Sequence, residues 1–184
     1  MRMLSFLCFL LLAGLPVGTK AAQPLLVDLS RDQIDITTSF TGTRLLLFGA
    51  IDGEGDVVVV VRGPNRQEVV RRKERTLGIW VNRHSVIFDR VPGYYFQAST
   101  RTLGNIASKS VLDDLKIGTG RLPIEVVSDV STGTARDYRD ALIRLKRAQN
   151  LYSSSGPSVT FVGGRLFRTE LLFPANVPTG DYTA

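Results

Sequence analysis

The sequence of residues 22–184 predicts a mainly β fold, an immunoglobulin-like antiparallel β-sandwich with a helical insertion at about 101–156. Three observations lead to this prediction. Short segments of alternating apolar and polar residues, separated by glycine and proline, fill the chain from Leu25 to Thr100. A helical period replaces them inside the insertion, and the period of two returns after it. The last segment, LLFPANVPTGDYTA at 171–184, has the arrangement of a tyrosine corner, with Tyr182 as the structural corner residue.

The first half of the chain is predicted to consist of short strands. Val57 to Val61 is a run of five valines, and a run that is apolar on both faces belongs in a covered sheet or in a strand shared with a partner. Trp80 is expected to be a core aromatic residue, and the segment 82–85 is expected to form a turn. The predicted strands are 25–29, 33–37, 44–51, 57–61, 67–72, 78–82, 85–89 and 94–98.

The second half is predicted to begin with helices. Residues 103–115 have the pattern of one or two short helices, and 135–152 carry the clearest helical period of the chain. We expect the apolar face of this long helix to pack on its own domain, with docking on a partner or a membrane as the alternative. After it, 158–162 and 165–173 alternate again around Gly163-Gly164, which predicts a primed hairpin turn. The apolar helix face comprises Tyr138, Ala141, Leu142, Leu145, Ala148 and Tyr152.

The beginning of the chain has the order of a secretory signal peptide, which we place at 1–21. Arg2 supplies an early positive charge, 3–15 is apolar, and Ala21 precedes the preferred cleavage site. The apolar run is shorter than the ~20 residues that a membrane-crossing helix needs, and an uncleaved anchor is the alternative. We therefore expect an exported protein on the periplasmic side of the bacterial cytoplasmic membrane.

Composition and charge exclude several function classes. The single cysteine, Cys8, lies in the predicted signal peptide, so the mature chain has neither disulfides nor thiol catalysis. The full sequence has a net charge of +6, and removal of Arg2 and Lys20 leaves +4. This mild basicity, without interleaved aromatic residues, argues against a nucleic-acid partner. His84 is the only histidine, and we expect no metal and no cofactor.

One basic segment, between residues 62 and 75, is the candidate for an anionic-surface patch. Six basic residues there outnumber two glutamates, and each net charge contributes ~1 kcal/mol near a strongly anionic surface, so binding would be weak. The alternative is a charged edge strand that resists aggregation. The patch comprises Arg62, Arg66, Arg71, Arg72, Lys73 and Arg75.

Two groups of acidic residues are candidates for further sites. Residues 52–56 contain three carboxylates that could bind calcium, but they lack the length and the distant glutamate of an EF-hand, and a flexible hairpin connection is favoured. Asp113, Asp114 or Glu125 could serve a carboxylate-based hydrolase if they converged in a cleft. Adjacent Asp113 and Asp114 fit the solvent side of a short helix better.

Six stretches within residues 40–183 carry a family resemblance. They are FTGTRLLLFGA, VVVVVRGP, VRRKERTLGIWVN, VPGYYFQASTR, ALIRLKRAQNLY and LFRTELLFPANVPTGDYT. In this order they resemble the alphaproteobacterial "putative transmembrane protein" family, a group of unknown function without established catalytic residues. The resemblance implies a signal peptide, an envelope-side β-rich region and a C-terminal transmembrane helix, and some members lie beside genes for sulfite-exporter-type permeases. Because residues 180–184 have the pattern of the opening of a strand, we expect the natural chain to continue into the rest of the sandwich and that helix.

These observations favour one hypothesis and leave two alternatives open. The favoured one is a non-catalytic, envelope-side module of a membrane-tethered protein, with a protein–protein or transporter-accessory role toward an inner-membrane protein and a weak contact with anionic lipid. The alternatives are a periplasmic carboxylate-based hydrolase and an envelope assembly factor that offers an unpaired sheet flank to a partner strand.

Overall fold

The computed structural model describes residues 25–153 and 159–184 of the chain. Of these residues 43% lie in strands and 19% in helices, so the fold is mainly β, as predicted. The predicted signal peptide at 1–21 lies outside the described residues. The immunoglobulin-like arrangement of the strands stays a prediction.

Within the described residues the strands form three antiparallel sheets. Their orders are β1-β2-β9-β8, β3-β6 and β4-β5-β7. Inside the predicted insertion the chain forms three α-helices, a 3-10 turn at Thr119–Arg121 and the short strand β7. The elements are β1 (Leu25–Leu29), β2 (Gly42–Ile51), β3 (Val58–Arg62), β4 (Asn65–Thr76), β5 (Ile79–Pro92), β6 (Tyr95–Ser99), α1 (Leu103–Ile106), α2 (Lys109–Asp114), β7 (Glu125–Val126), α3 (Thr132–Ala148), β8 (Thr160–Val162) and β9 (Leu166–Pro174).

Strands from the two ends of the chain pair with each other and share one core. β2 and β9 are paired from Gly42 opposite Pro174 to Ala50 opposite Leu166. Both strands alternate buried and exposed residues, because only one face of their sheet is covered. The buried faces meet β3, β5, β6 and α3 in a single hydrophobic cluster.

The long helix α3 begins earlier and ends earlier than predicted. The Ser131 side chain accepts a hydrogen bond from the Thr134 N–H at 3.3 Å and so caps the first turn. Asn150, with a φ of +58°, follows the last turn in the left-handed conformation. The prediction that Leu145, Ala148 and Tyr152 belong to the buried helix face is wrong, because the buried residues of α3 are Tyr138, Leu142, Ile143 and Lys146 and Ala148 is exposed. Leu145 is 52% exposed, and Tyr152 lies beyond the helix, where its hydroxyl donates to the Pro92 carbonyl oxygen at 2.7 Å.

An ion pair connects α3 to the start of the β4–β5 hairpin. The Lys146 ammonium lies 2.5 Å from a Glu68 carboxylate oxygen, and Lys146 is only 7% exposed. A charge at the depth of Lys146 needs its partner, because water would hydrate the buried ammonium poorly, whereas the Glu68 side chain stays 30% exposed. The pair therefore holds the base of the hairpin against the helix.

The C-terminal segment is tied to the sheet of β3 and β6. Thr183 exchanges two backbone hydrogen bonds with Arg62, of 2.8 and 2.9 Å. The Tyr182 hydroxyl donates to the carbonyl oxygen of Pro178, four residues upstream, and its ring lies edge-on to Tyr94 and Phe173. Burial raises the pKa of Tyr182 to about 12, so the phenol stays neutral and keeps donating this bond.

Several predicted strand boundaries are wrong. Residues 33–37 form no strand, because the segment has too few apolar positions to cover a face and lies beside no partner. The predicted strands 67–72, 78–82 and 85–89 are parts of two long strands, β4 and β5. The predicted turn at 82–85 lies inside β5, where Arg83 is accommodated as an extra residue in a bulge. Residues 52–56 connect β2 to β3, which lie in different sheets, so they are not a hairpin connection.

Candidate docking arm

The β4–β5 hairpin extends well beyond the rest of the fold. Its last buried pair is Val70 opposite Val86, which are 5% and 1% exposed. All residues from 71 to 85 are exposed except Glu74, which is half-buried. We call residues 71–85 the arm. At ~3.3 Å per residue, its turn lies about 23 Å from Val70, and in the described residues no third strand pairs with it.

The arm closes in a two-residue turn formed by Leu77 and Gly78. Their φ angles are +50° and +84°, both in the left-handed region that a primed hairpin turn requires. Gly78 adopts this conformation freely, but for leucine it is strained, and asparagine, aspartate or glycine is the usual choice. Leu77 is 99% exposed, so no packing contact offsets the strain. An apolar residue held in a strained, exposed position points to a role outside folding.

The tip of the arm is apolar on both faces. Leu77, Ile79 and Trp80, which we call the apolar cap, are 99%, 68% and 65% exposed. Neighbouring strand residues point to opposite faces, so Ile79 and Trp80 cover the two sides while Leu77 covers the end. The prediction of Trp80 as a core residue is therefore wrong, because its strand belongs to a two-stranded ribbon that no other layer of the described residues covers.

One face of the arm is basic and lacks a carboxylate. Arg71, Lys73 and Arg75 alternate along β4 and so share a face, and Trp80 lies directly opposite Arg75. The other arm residues on this face are Asn82 and Ser85. The positive charges therefore stand uncompensated beside the cap.

The opposite face carries the only acid of the arm. Glu74 lies 3.9 Å from Arg72, 4.0 Å from Arg83 and 3.9 Å from His84, with its side chain 32% exposed. Exposed pairs at such distances contribute little to stability. The arm as a whole contains five basic residues and one glutamate, so its net charge is +4. This equals the net charge of the whole chain from residue 22 onward.

The predicted basic patch is divided by the structure. Arg71, Arg72, Lys73 and Arg75 lie on the arm. Arg62 instead donates to the carbonyl oxygens of Leu115 and Lys116, each at 3.1 Å, and Arg66 to that of Thr179 at 3.3 Å; both hold loops of the fold in place.

The sequence reasoning missed Arg83 and the apolar cap. The signal that could have found them is the leucine-glycine pair between two segments that both alternate. A two-residue loop containing glycine joins strands of any length, so the flanking predictions 67–72 and 78–82 could have been extended into one hairpin.

Asp113 and Asp114 share α2, whereas Glu125, the third acidic residue that is a candidate for catalysis, lies on β7. Asp113 on α2 pairs with Arg121, and Glu125 on β7 pairs with Arg90 at 2.9 Å. Asp56, from the segment considered for calcium, accepts hydrogen bonds from Arg101 and Thr100, which hold its pKa at about 2. In the part of the chain that the structure describes, no three His, Cys, Asp or Glu side chains are grouped so that they could hold a metal ion.

A family model described as "Putative transmembrane protein" (Alph_Pro_TM) matches residues 24–184. The chain belongs to this family. The Alph_Pro_TM match takes in the arm and all the strands and helices described above, and the family description is consistent with membrane association. No curated protein and no solved structure matches the chain. Among the helices of the described ranges, none has the length and apolar character required to span a bilayer.

Proposed function

We propose that the chain is a non-catalytic module of a membrane-tethered protein, held on the periplasmic face of the cytoplasmic membrane. It would act as an accessory to an inner-membrane protein, of which a sulfite-exporter-type permease is one candidate. The observation that carries the proposal is the arm. It exposes apolar and basic residues on an element that adds nothing to the core, which is the pattern of a surface made for contact.

The contacts that fix the base of the arm to the rest of the fold support this role. Lys146 binds Glu68 just below the arm, and Arg66 binds the loop at Thr179, so the base of the hairpin is fixed to a helix and to a loop. Beyond this base, a reach of about 23 Å allows contact with a membrane-embedded partner while the core stays in the aqueous space. A fixed base also lets the arm set the orientation of the whole module.

Site-specific crosslinking tests the proposed partner. A photoreactive amino acid would replace His84 or Ser85, which lie on opposite faces of the arm behind the cap, in the full-length protein in its own envelope. We expect adducts with an integral inner-membrane protein from at least one of these positions. The matched control is Leu145, an exposed residue of α3 outside the arm, which should give no such adduct. If neither arm position crosslinks to an inner-membrane protein, the accessory role is wrong.

A further inference from the structure

We infer that the apolar cap inserts into the interfacial region of an anionic phospholipid bilayer. The inference rests on the proposed function, because that function places the arm beside the cytoplasmic membrane. Beyond that function, the inference specifies which molecule the tip of the arm contacts and by which residues. The ligand is the lipid surface itself, and the residues that enter it are Leu77, Ile79 and Trp80.

The shape of the cap favours lipid over a protein surface. A flat protein patch could cover one face of the ribbon, but it would leave either Ile79 or Trp80 in water, since these side chains point in opposite directions. A bilayer surrounds an inserted tip on all sides. A convex, two-sided apolar tip therefore suits lipid.

The basic side chains lie at a distance from the tip of the arm that matches the phosphate level of a lipid surface. Counted along β4, Arg75 and Lys73 lie about 7 and 13 Å behind Leu77 at ~3.3 Å per residue. With the cap at the acyl boundary, a depth of ~5–10 Å, these side chains reach the phosphate level, and their flexible stems can extend along the ribbon. Trp80 is the residue type that membrane interfaces enrich. The net charge of +4 complements anionic headgroups.

The backbone of the arm limits the depth of insertion. A two-stranded ribbon leaves a row of unpaired N–H and C=O groups on each outer edge, and hydrocarbon does not hydrate them. Glu74, three residues behind Leu77, must also stay among headgroups or water. The cap therefore enters only the interface, and the contact orients a tethered protein without anchoring it.

The single tryptophan of the chain provides a direct test, because it is Trp80. The purified chain would be mixed with vesicles of phosphatidylglycerol and phosphatidylethanolamine, and with vesicles of phosphatidylcholine alone. Insertion moves the indole out of water, so we expect a blue shift of its emission with the anionic vesicles and little with the neutral ones. Lipids brominated on the acyl chain should quench the shifted emission.

Matched variants separate the apolar contribution from the charge contribution. Ile79→Thr keeps a β-branched strand former but replaces an ethyl group with a hydroxyl, and it should lower the partition coefficient about fifteenfold, the effect of two lost carbons at ~0.8 kcal/mol each. Lys73→Gln and Arg75→Gln should each lower it about fivefold at low salt. Leu145→Gln removes apolar surface and Arg136→Gln removes a positive charge at exposed positions of α3, and both should leave partitioning unchanged.

Each outcome decides between the two proposals. If the emission of Trp80 does not shift with anionic vesicles, the inference is wrong. It is also wrong if the protein binds these vesicles without an emission shift and salt abolishes the binding, since charge alone then holds the arm. If the shift is absent but His84 or Ser85 crosslinks to an inner-membrane protein, the inference is wrong and the proposed function stands. If the shift is present without such adducts, the arm binds lipid and the accessory role is wrong. If both readouts are negative, both proposals are wrong.

Discussion

Replacing Leu77 with asparagine should make the protein more stable. At φ +50° a side chain other than glycine is strained by ~1–2 kcal/mol, and asparagine tolerates this region best among the larger residues. Asn-Gly is also the preferred pair for a primed two-residue turn. Leu77 is 99% exposed, so the substitution removes no packing. We expect Leu77→Asn to raise the free energy of unfolding by about 1 kcal/mol.

Urea unfolding followed by circular dichroism measures this change. With a slope of ~2 kcal/mol per molar urea, the midpoint should rise by about 0.5 M at an unchanged slope. Leu77→Ala is the matched control. It removes apolar surface from the same position but keeps a β-carbon at positive φ, so its stability should stay within ~0.5 kcal/mol of the parent protein.

The two variants should behave alike in vesicle binding, although they differ in stability. Both remove part of the apolar cap, so both should weaken the emission shift of Trp80. A variant that folds more stably and binds less well would show that leucine is present at the tip for contact. A lower free energy of unfolding for Leu77→Asn would refute this reasoning, because it would mean that Leu77 makes stabilising contacts and that the arm is not free-standing.

Three further predictions concern the fold that carries the arm. Tyr152→Phe removes a buried hydroxyl that donates to Pro92 at 2.7 Å, and should lower the free energy of unfolding by about 1–2 kcal/mol in urea titrations; an unchanged midpoint would contradict the bond. Lys146→Met leaves the carboxylate of Glu68 without its cation and should destabilise by about 1–3 kcal/mol, whereas adding Glu68→Gln should recover part of the loss in a double-mutant cycle; additive losses would rule out coupling. The hydrogen bonds from Arg101 and Thr100 lower the pKa of Asp56 from 3.8 to about 2, so its charged form stabilises the fold above pH ~4 and this contribution is lost as the pH falls toward ~2. The stability difference between the parent protein and Asp56→Asn should therefore shrink over that acidic range, and a difference that grows on acidification would contradict the assignment.

Strands that face one core and end in a marked turn could be predicted from the sequence. β9 alternates without interruption, and Gly163 and Gly164 both have positive φ angles, but Val162 pairs with Leu166, so the loop has three residues and the predicted two-residue primed turn is wrong. The sequence also predicts the position of the long helix, but not its end, because the pattern does not reveal that Asn150 adopts the left-handed conformation that terminates α3. In each of these cases burial of one face creates the period that the sequence displays.

The arm could not be predicted in this way because neither of its faces is buried. Without a covered face, alternation along 71–85 reflects charge and exposure, and it gives no measure of strand length. Residues 82–85 have turn-like residue types but lie inside β5, where a bulge accommodates the extra residue. Sequence patterns do not indicate such a bulge. Closeness in sequence also grouped Arg62 and Arg66 with the arm, although their hydrogen bonds direct them into the fold.

Removal of the arm tests most directly whether it is a docking element that the fold does not need. Residues 71–85 would be replaced by Asn-Gly, which joins Val70 to Val86. These two residues are directly opposite, and Ile87 directs its own N–H and C=O to Ser128 and Val127, so the Val70–Val86 pair bonds across the hairpin as a two-residue turn requires.

The shortened chain should keep its far-ultraviolet circular dichroism and its cooperative unfolding, and it should no longer sediment with phosphatidylglycerol vesicles. If it fails to fold, the arm is structural. If it folds and still sediments with the vesicles, docking takes place elsewhere on the protein.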